Sequence, residues 1–125
     1  MSTEQERFEG ETGLTPRMVE TIRNILSREP RVNQVVLFGS RAKGSFREGS
    51  DIDLAVYGTN IDHRDTARWI EAIEDALFPW SVDIVVVDNE IDSELSAHIA
   101  RVGRQLFKNE APYDRSGEQA QPNDR

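Results

Sequence analysis

Gly39-Ser40-Arg41-Ala42-Lys43-Gly44-Ser45-Phe46-Arg47-Glu48-Gly49-Ser50-Asp51-Ile52-Asp53-Leu54 joins two strand-like runs near the middle of a 125-residue chain. Upstream, Val32 to Phe38 is a β-branched run bounded by Pro30 and Gly39, which predicts a strand. Downstream, Asp51 to Tyr57 alternates. Ile52, Leu54 and Val56 fall on one face and Asp51, Asp53 and Ala55 on the other, as in a half-buried second strand. At the end of the first strand, Gly39 lets the backbone turn tightly and bring amide N–H groups within reach of an anion. A short helix opening at Ser40 would point its positive end at that anion. Ser40 adds a hydroxyl donor, and Arg41 or Lys43 a positive charge. Alone, a Gly-Ser pair at a strand end is most simply a turn.

The acidic residues alter that balance. Spacing i, i+2 on a strand puts the Asp51 and Asp53 carboxylates on one face, roughly 7 Å apart. At an effective dielectric near 20 their repulsion is about 2.4 kcal/mol. Either both acids sit on a solvated face, or a divalent cation between them reverses the sign of the interaction. Hard oxygen ligands of this kind suit Mg²⁺, which keeps several waters and shares its coordination with substrate phosphates. Asp83 is the third element, interrupting the apolar run of Val82 and Ile84-Val85-Val86-Val87. An unpaired carboxylate is costly inside such a strand. It therefore lies at the strand's exposed beginning or faces the acidic pair. In the second case three carboxylates could hold two metal ions that activate a hydroxyl and stabilise a pyrophosphate leaving group. Asp88 reads as a turn residue.

Working outward, Thr15-Pro16 opens a helix carrying Met18, Val19, Ile22, Ile25 and Leu26, closed by Pro30. Asp62 caps a helix with Ile70, Ile73 and Leu77, stopped by Pro79. Ser81 to Val87 is a third strand, Val-rich enough for burial on both faces. A last helix, opened by Asp92 or Ser93, stacks Leu95, Ile99 and Val102 and ends at Gly103. Gln105 to Lys108 reads as a short edge strand. The order predicts an α/β fold with one small mixed sheet and helices packed mainly on one face. Residues 1–12 read as a flexible, frayed N-terminal lead-in, 13–108 as the folded domain, and 109–125 as a disordered C-terminal tail rich in Pro, Gly, Gln and charge.

Composition narrows the function classes. Lys and Arg number 15 and Asp and Glu 23, a net charge of −8, so a direct grip on nucleic acid phosphates is not expected. Anionic membrane surfaces would repel the chain, and its apolar runs are too short to span a bilayer. The N-terminus lacks the apolar stretch of a signal peptide, which points to the cytoplasm. With no cysteine there is no disulfide, thiolate zinc site or thiol nucleophile.

The pattern Gly-Ser-x-Ala-x-Gly, five residues, Ser-Asp-x-Asp-Leu stands at Gly39, Ser40, Ala42, Gly44, Ser50, Asp51, Asp53 and Leu54, followed by Asp83 on an apolar strand. Over residues 15–108 the chain resembles the minimal nucleotidyltransferase (MNT) group of the polymerase β-like superfamily. The resemblance implies that superfamily's fold and Mg²⁺-dependent transfer of AMP from ATP to a hydroxyl, with two ions. It gives Gly39 and Ser40 the β,γ-phosphates, with Arg41 and Ser50 as further nucleotide contacts. Asp51 and Asp53 become metal ligands that orient the α-phosphate. Asp83 becomes a ligand of the metal that binds the acceptor, or the base that takes its proton. It also implies a partner: a helical-bundle HEPN toxin, encoded next door, whose tyrosine accepts AMP while the MNT chain acts as antitoxin. The negative charge suits a basic partner surface.

Two other functions remain at this stage, a non-catalytic antitoxin working by occlusion and a nucleotidyltransferase acting on a small antibiotic-type molecule. Elsewhere, His63 and His98 read as surface or capping residues, and Trp69 and Trp80 as core or interface. Phe46-Arg47 reads as a packed loop or a partner contact. Tyr113 and Ser116 are possible self-modification sites.

Overall fold

A computed structural model describes residues 3–87 and 93–109. Asp88 and nearly all of the expected C-terminal tail, with Tyr113 and Ser116, lie outside the described residues. The first element corrects the reading of residues 1–12. Glu4–Thr12 is a helix, α1, and not a frayed lead-in. Thr3 and Glu6 close a reciprocal capping box at its start, each accepting the other's backbone N–H at 3.0 Å. Gly13 ends it in the left-handed conformation, φ 76°.

Then come α2 (Pro16–Ser27), β1 (Val32–Phe38), α3 (Gly39–Lys43), β2 (Ile52–Gly58), α4 (His63–Ala76), β3 (Val82–Val87), α5 (Ser93–Val102) and β4 (Arg104–Lys108). Thr15 caps α2 through Met18 N–H, with Pro16 at the first helical position, and Asp62 caps α4. The four strands form one mixed sheet in the order β3-β2-β1-β4. β1 runs antiparallel to β2 and β4, whereas β2 and β3 are parallel, connected through α4.

The two-residue period of the strands decides the layers. Val35 and Leu37, Ile52, Leu54 and Val56, and Val82 and Ile84 face α2 and α4, whose Ile22, Leu26, Trp69 and Ile73 complete the larger core. Each of the buried aliphatic side chains among them contributes up to about 1.5–3 kcal/mol relative to exposure. The other face is partly covered too. Ala55, placed by its alternation on the acidic face, is fully buried with Val36 and Phe38 beneath Ile99 of α5. Gly103, just past α5, allows this approach, since a Cβ there would overlap Val36 Cγ1. The carboxylates therefore share a sheet face with α5.

At the far end of β1 and α4 an ion network fixes the frame. Arg31 donates to both oxygens of Asp65 at 3.0 and 3.1 Å and to Glu29 at 3.1 Å, and Arg68 lies 3.3 Å from Asp65. Asp65 also accepts from the Asp62 N–H. These donors, Arg31 first, hold the Asp65 carboxyl well below its usual range.

Candidate active site

The site forms where the C-terminal end of β1 meets the N-terminal ends of β2 and β3. Phe38 is the cross-strand neighbour of Asp53, and Asp53 is in register with Asp83 across the parallel β2–β3 ladder. Adjacent parallel strands lie about 4.8 Å apart, so the two carboxylates leave the same sheet face side by side. Asp83 is the second residue of β3 and exposed, so both expectations hold together: it lies at the strand's open beginning and beside Asp53. Asp51 stands just before β2, exposed, two residues from Asp53 and hence at the same edge.

Gly39 follows Phe38 with φ 77° and opens α3. A Cβ on Gly39 would overlap Asp53 Oδ2, so only glycine permits both the turn and the carboxylate packed against it. Phe38, at the N-cap position of α3, has no side-chain acceptor to offer the first turn. The amides of that turn, with the half-buried Ser40, stand beside the acids.

Asp53 is half-buried, and its carboxyl is pushed above the ordinary value of 3.8. Burial is the largest cause, followed by the charges of Asp83 and Asp51, with Arg41 pulling the other way. The group is thus short of positive charge.

Arg41 and Ser50, expected as nucleotide contacts, are engaged otherwise. The Arg41 side chain is fully buried. It donates from Nη1 to the Thr12 carbonyl at 2.8 Å, and from Nε and Nη2 to the Ser50 carbonyl at 3.2 and 3.0 Å. Phe46 and Trp80 lie over its guanidinium, 4.6 and 4.8 Å from ring centroid to carbon. Ser50 Oγ accepts the Arg47 N–H at 2.9 Å and closes the loop. Both residues shape the loop. Lys43 is exposed.

The profile described as polymerase beta, nucleotidyltransferase matches residues 20–111. The chain belongs to this family. Among solved structures, it is similar to a toxin–antitoxin complex with AMP-PNP, at 24% identity, TM-score 0.65 and 74% of each chain. It is also similar to a mutant MntA–HpeT toxin–antitoxin, at 26% identity and TM-score 0.62, covering 73% of this chain and 72% of that one. A third is the tri-AMPylated Shewanella oneidensis HEPN toxin in complex with its MNT antitoxin, at 21% identity and TM-score 0.59, covering 74% and 71%. No curated protein matches the chain significantly.

Among the described residues, no three His, Cys, Asp or Glu side chains of this nucleotidyltransferase gather into a ready-made metal cage. The donor set still suits Mg²⁺. That ion takes one or two carboxylates and completes its shell with water and substrate phosphate, and Asp53 and Asp83 are two such carboxylates in register. No helix among the described residues is long and apolar enough to cross a membrane. A groove of about 820 Å³ between α1, α2 and β4 contains none of the site residues.

One neighbour of the site, His98, reads in the sequence as a surface or capping residue and is instead a half-buried ring-contact residue. The His98 ring of α5 stands edge-on to Phe38, centroids 6.2 Å apart, on the face that carries Asp53. Its place on the Leu95–Ile99–Val102 helix was readable, but the sheet strand beneath it was not. His63 is the first residue of α4 and exposed, as expected, and Trp69 is in the core.

Proposed function

We propose that this nucleotidyltransferase is a Mg²⁺-dependent protein adenylyltransferase that moves AMP from ATP to a hydroxyl, the tyrosine hydroxyl of a helical HEPN toxin, and so acts as an antitoxin. The observation that carries the reading is the registered Asp53–Asp83 pair against the Gly39 turn. It sets two carboxylates, one short of positive charge, beside a helix turn that no side chain caps. Neighbours of the same fold include a toxin–antitoxin complex with AMP-PNP and an AMPylated HEPN toxin bound to its MNT antitoxin, which supports the choice of nucleotide and acceptor.

In this reading the amides at Gly39 and Ser40 bind the β,γ-phosphates. Asp51 and Asp53 hold the metal end of the triphosphate, and Asp83, exposed at the edge, faces the incoming acceptor. Mg²⁺ supplies positive charge that offsets the carboxylates and the charge developing on the phosphates. The acceptor oxygen bonds to the α-phosphorus as the bond to the bridging oxygen of the β-phosphate breaks. The hydroxyl proton passes to Asp83 and pyrophosphate leaves.

The test is incubation with α-labelled ATP, Mg²⁺ and the HEPN partner, followed by intact mass of both chains. AMP units appear on the partner with the wild-type protein and not with Asp53→Asn. A stable complex with no mass change would favour neutralisation by occlusion. Neither complex nor mass change would redirect attention to a small-molecule hydroxyl.

A further inference from the structure

Arg41 is a fully buried cation, a class of side chain that ordinarily pairs with a carboxylate. Among the described residues its hydrogen bonds go instead to two main-chain carbonyls, Thr12 and Ser50. The second of these governs the site. A peptide group is planar, so a clamp on the Ser50 carbonyl also holds the amide of Asp51. On the other side of Asp51, the Ile52 N–H donates to the Ser81 carbonyl at 2.9 Å, the residue that leads into β3. Both peptides flanking Asp51 are therefore pinned, although Asp51 itself is exposed and precedes the strand.

We propose that Arg41 is a positioning residue for nucleotide transfer: by gripping the Ser50 carbonyl through Nε and Nη2, it fixes where Asp51 stands relative to Asp53 and Asp83. The role rests on the adenylyl-transfer reading given above, and it explains the choice of arginine. The guanidinium fork reaches the Ser50 carbonyl with two nitrogens and the Thr12 carbonyl with a third, while its flat faces stack on Phe46 and Trp80. Lysine, a compact point charge, cannot hold this arrangement. Through Thr12 the same fork ties α1 to the loop, and a Cβ on Gly13 would run into the Phe46 ring. The N-terminal helix, the loop and Trp80 ahead of β3 thus meet on one side chain.

The experiment compares Arg41→Lys with the wild type by Mn²⁺ titration calorimetry, thermal melting, and kcat and KM for AMP transfer to the HEPN partner. The expected result is a folded protein whose Mn²⁺ affinity and kcat fall together, roughly 10–100-fold, while KM for ATP changes far less. Wild-type Mn²⁺ affinity and kcat in a protein of lowered Tm would reduce Arg41 to a core filler and overturn the proposal. If Arg41→Lys does not fold, Phe46→Leu opens one face of the clamp and touches no carboxylate. A smaller drop in both quantities is then expected, and unchanged values overturn the proposal. If the wild type itself transfers no AMP, the adenylyl-transfer reading fails, and the Mn²⁺ titration still decides the role of Arg41.

Discussion

Asp53 and Asp65, twelve positions apart in the chain, meet opposite surroundings. Asp65 receives two nitrogens of Arg31, the Arg68 guanidinium and a backbone N–H, and its carboxyl is held well below the usual range. Asp53 receives two more carboxylates and burial, opposed at a distance by an arginine whose hydrogen bonds are spent on carbonyls, and its carboxyl is pushed up. The first arrangement is complete and holds β1 to α4. The second is incomplete, and the missing positive charge is what a bound divalent cation would bring. The two acids are separated here by what remains unsatisfied around them, since both are substantially shielded from solvent.

The sharpest way to break this contrast is a reciprocal pair of amide substitutions. Asp53→Asn is expected to lower transfer by about 10³-fold or more while raising Tm in the presence of a chelator, since it relieves repulsion. Asp65→Asn is expected to lower Tm by several degrees and leave the rate per folded molecule near wild type. Equal losses of Tm in the two would erase the distinction. Gly39→Ala comes next. An alanine at φ 77° costs about 1–2 kcal/mol, and its Cβ displaces the Asp53 carboxylate. A displacement of about 1 Å lowers kcat on the order of 10²-fold, measurable in the same transfer assay.

Thermal melts against pH, in chelator, give a subtler separation. Asp53 has a raised folded pKa, so its relative stabilisation is present below the unfolded value of 3.8 and is lost as pH climbs through the folded one. Asp65 has a depressed folded pKa, so its stabilisation is full above 3.8 and is lost as pH falls through the folded value. The Tm gained by Asp53→Asn should therefore grow from acid to neutral pH, and the Tm lost by Asp65→Asn should shrink on acidification below 3.8. Parallel curves would show that the two acids do not differ as described. The smallest effect concerns the capping box of α1. Thr3→Ala is expected to cost about 0.5–1 kcal/mol by chemical denaturation.

Much of this was legible. The β-branched run gave β1 its observed bounds, and period two gave the faces of β2, because strand alternation is a local property that burial preserves. β3, expected to be buried on both faces, is instead buried at Val82 and Ile84 and open at Asp83. Gly39 and the two early aspartates stood out because their combination is costly without a ligand. The first helix was missed because Phe8 is its one large apolar side chain packed on the core. Its capping signal, Thr3-x-x-Glu6, was nonetheless present in the sequence. The fate of Arg41 had no such signal. Its partners are a carbonyl 29 residues upstream and one nine residues downstream, and main-chain acceptors carry no residue signature. The cover over Ala55 was hidden for a related reason, since which sheet face α5 crosses depends on long-range docking.

The parallel register of β2 and β3 has a consequence for divergence within the fold. Asp53 meets Asp83 because Leu54 meets Ile84 on the opposite face, so the two pairings rise and fall together. A single residue inserted or deleted between Ser81 and Asp83 would swing the carboxylate into the apolar core and an aliphatic side chain into the site. Residues 59–62, by contrast, connect a strand to a helix and can lengthen without disturbing the match. The spacing between the second and third aspartates is therefore free to drift across relatives, but the third must keep its odd-or-even place in a valine-rich strand. That parity, more than any fixed count, is the constraint to look for in distant sequences.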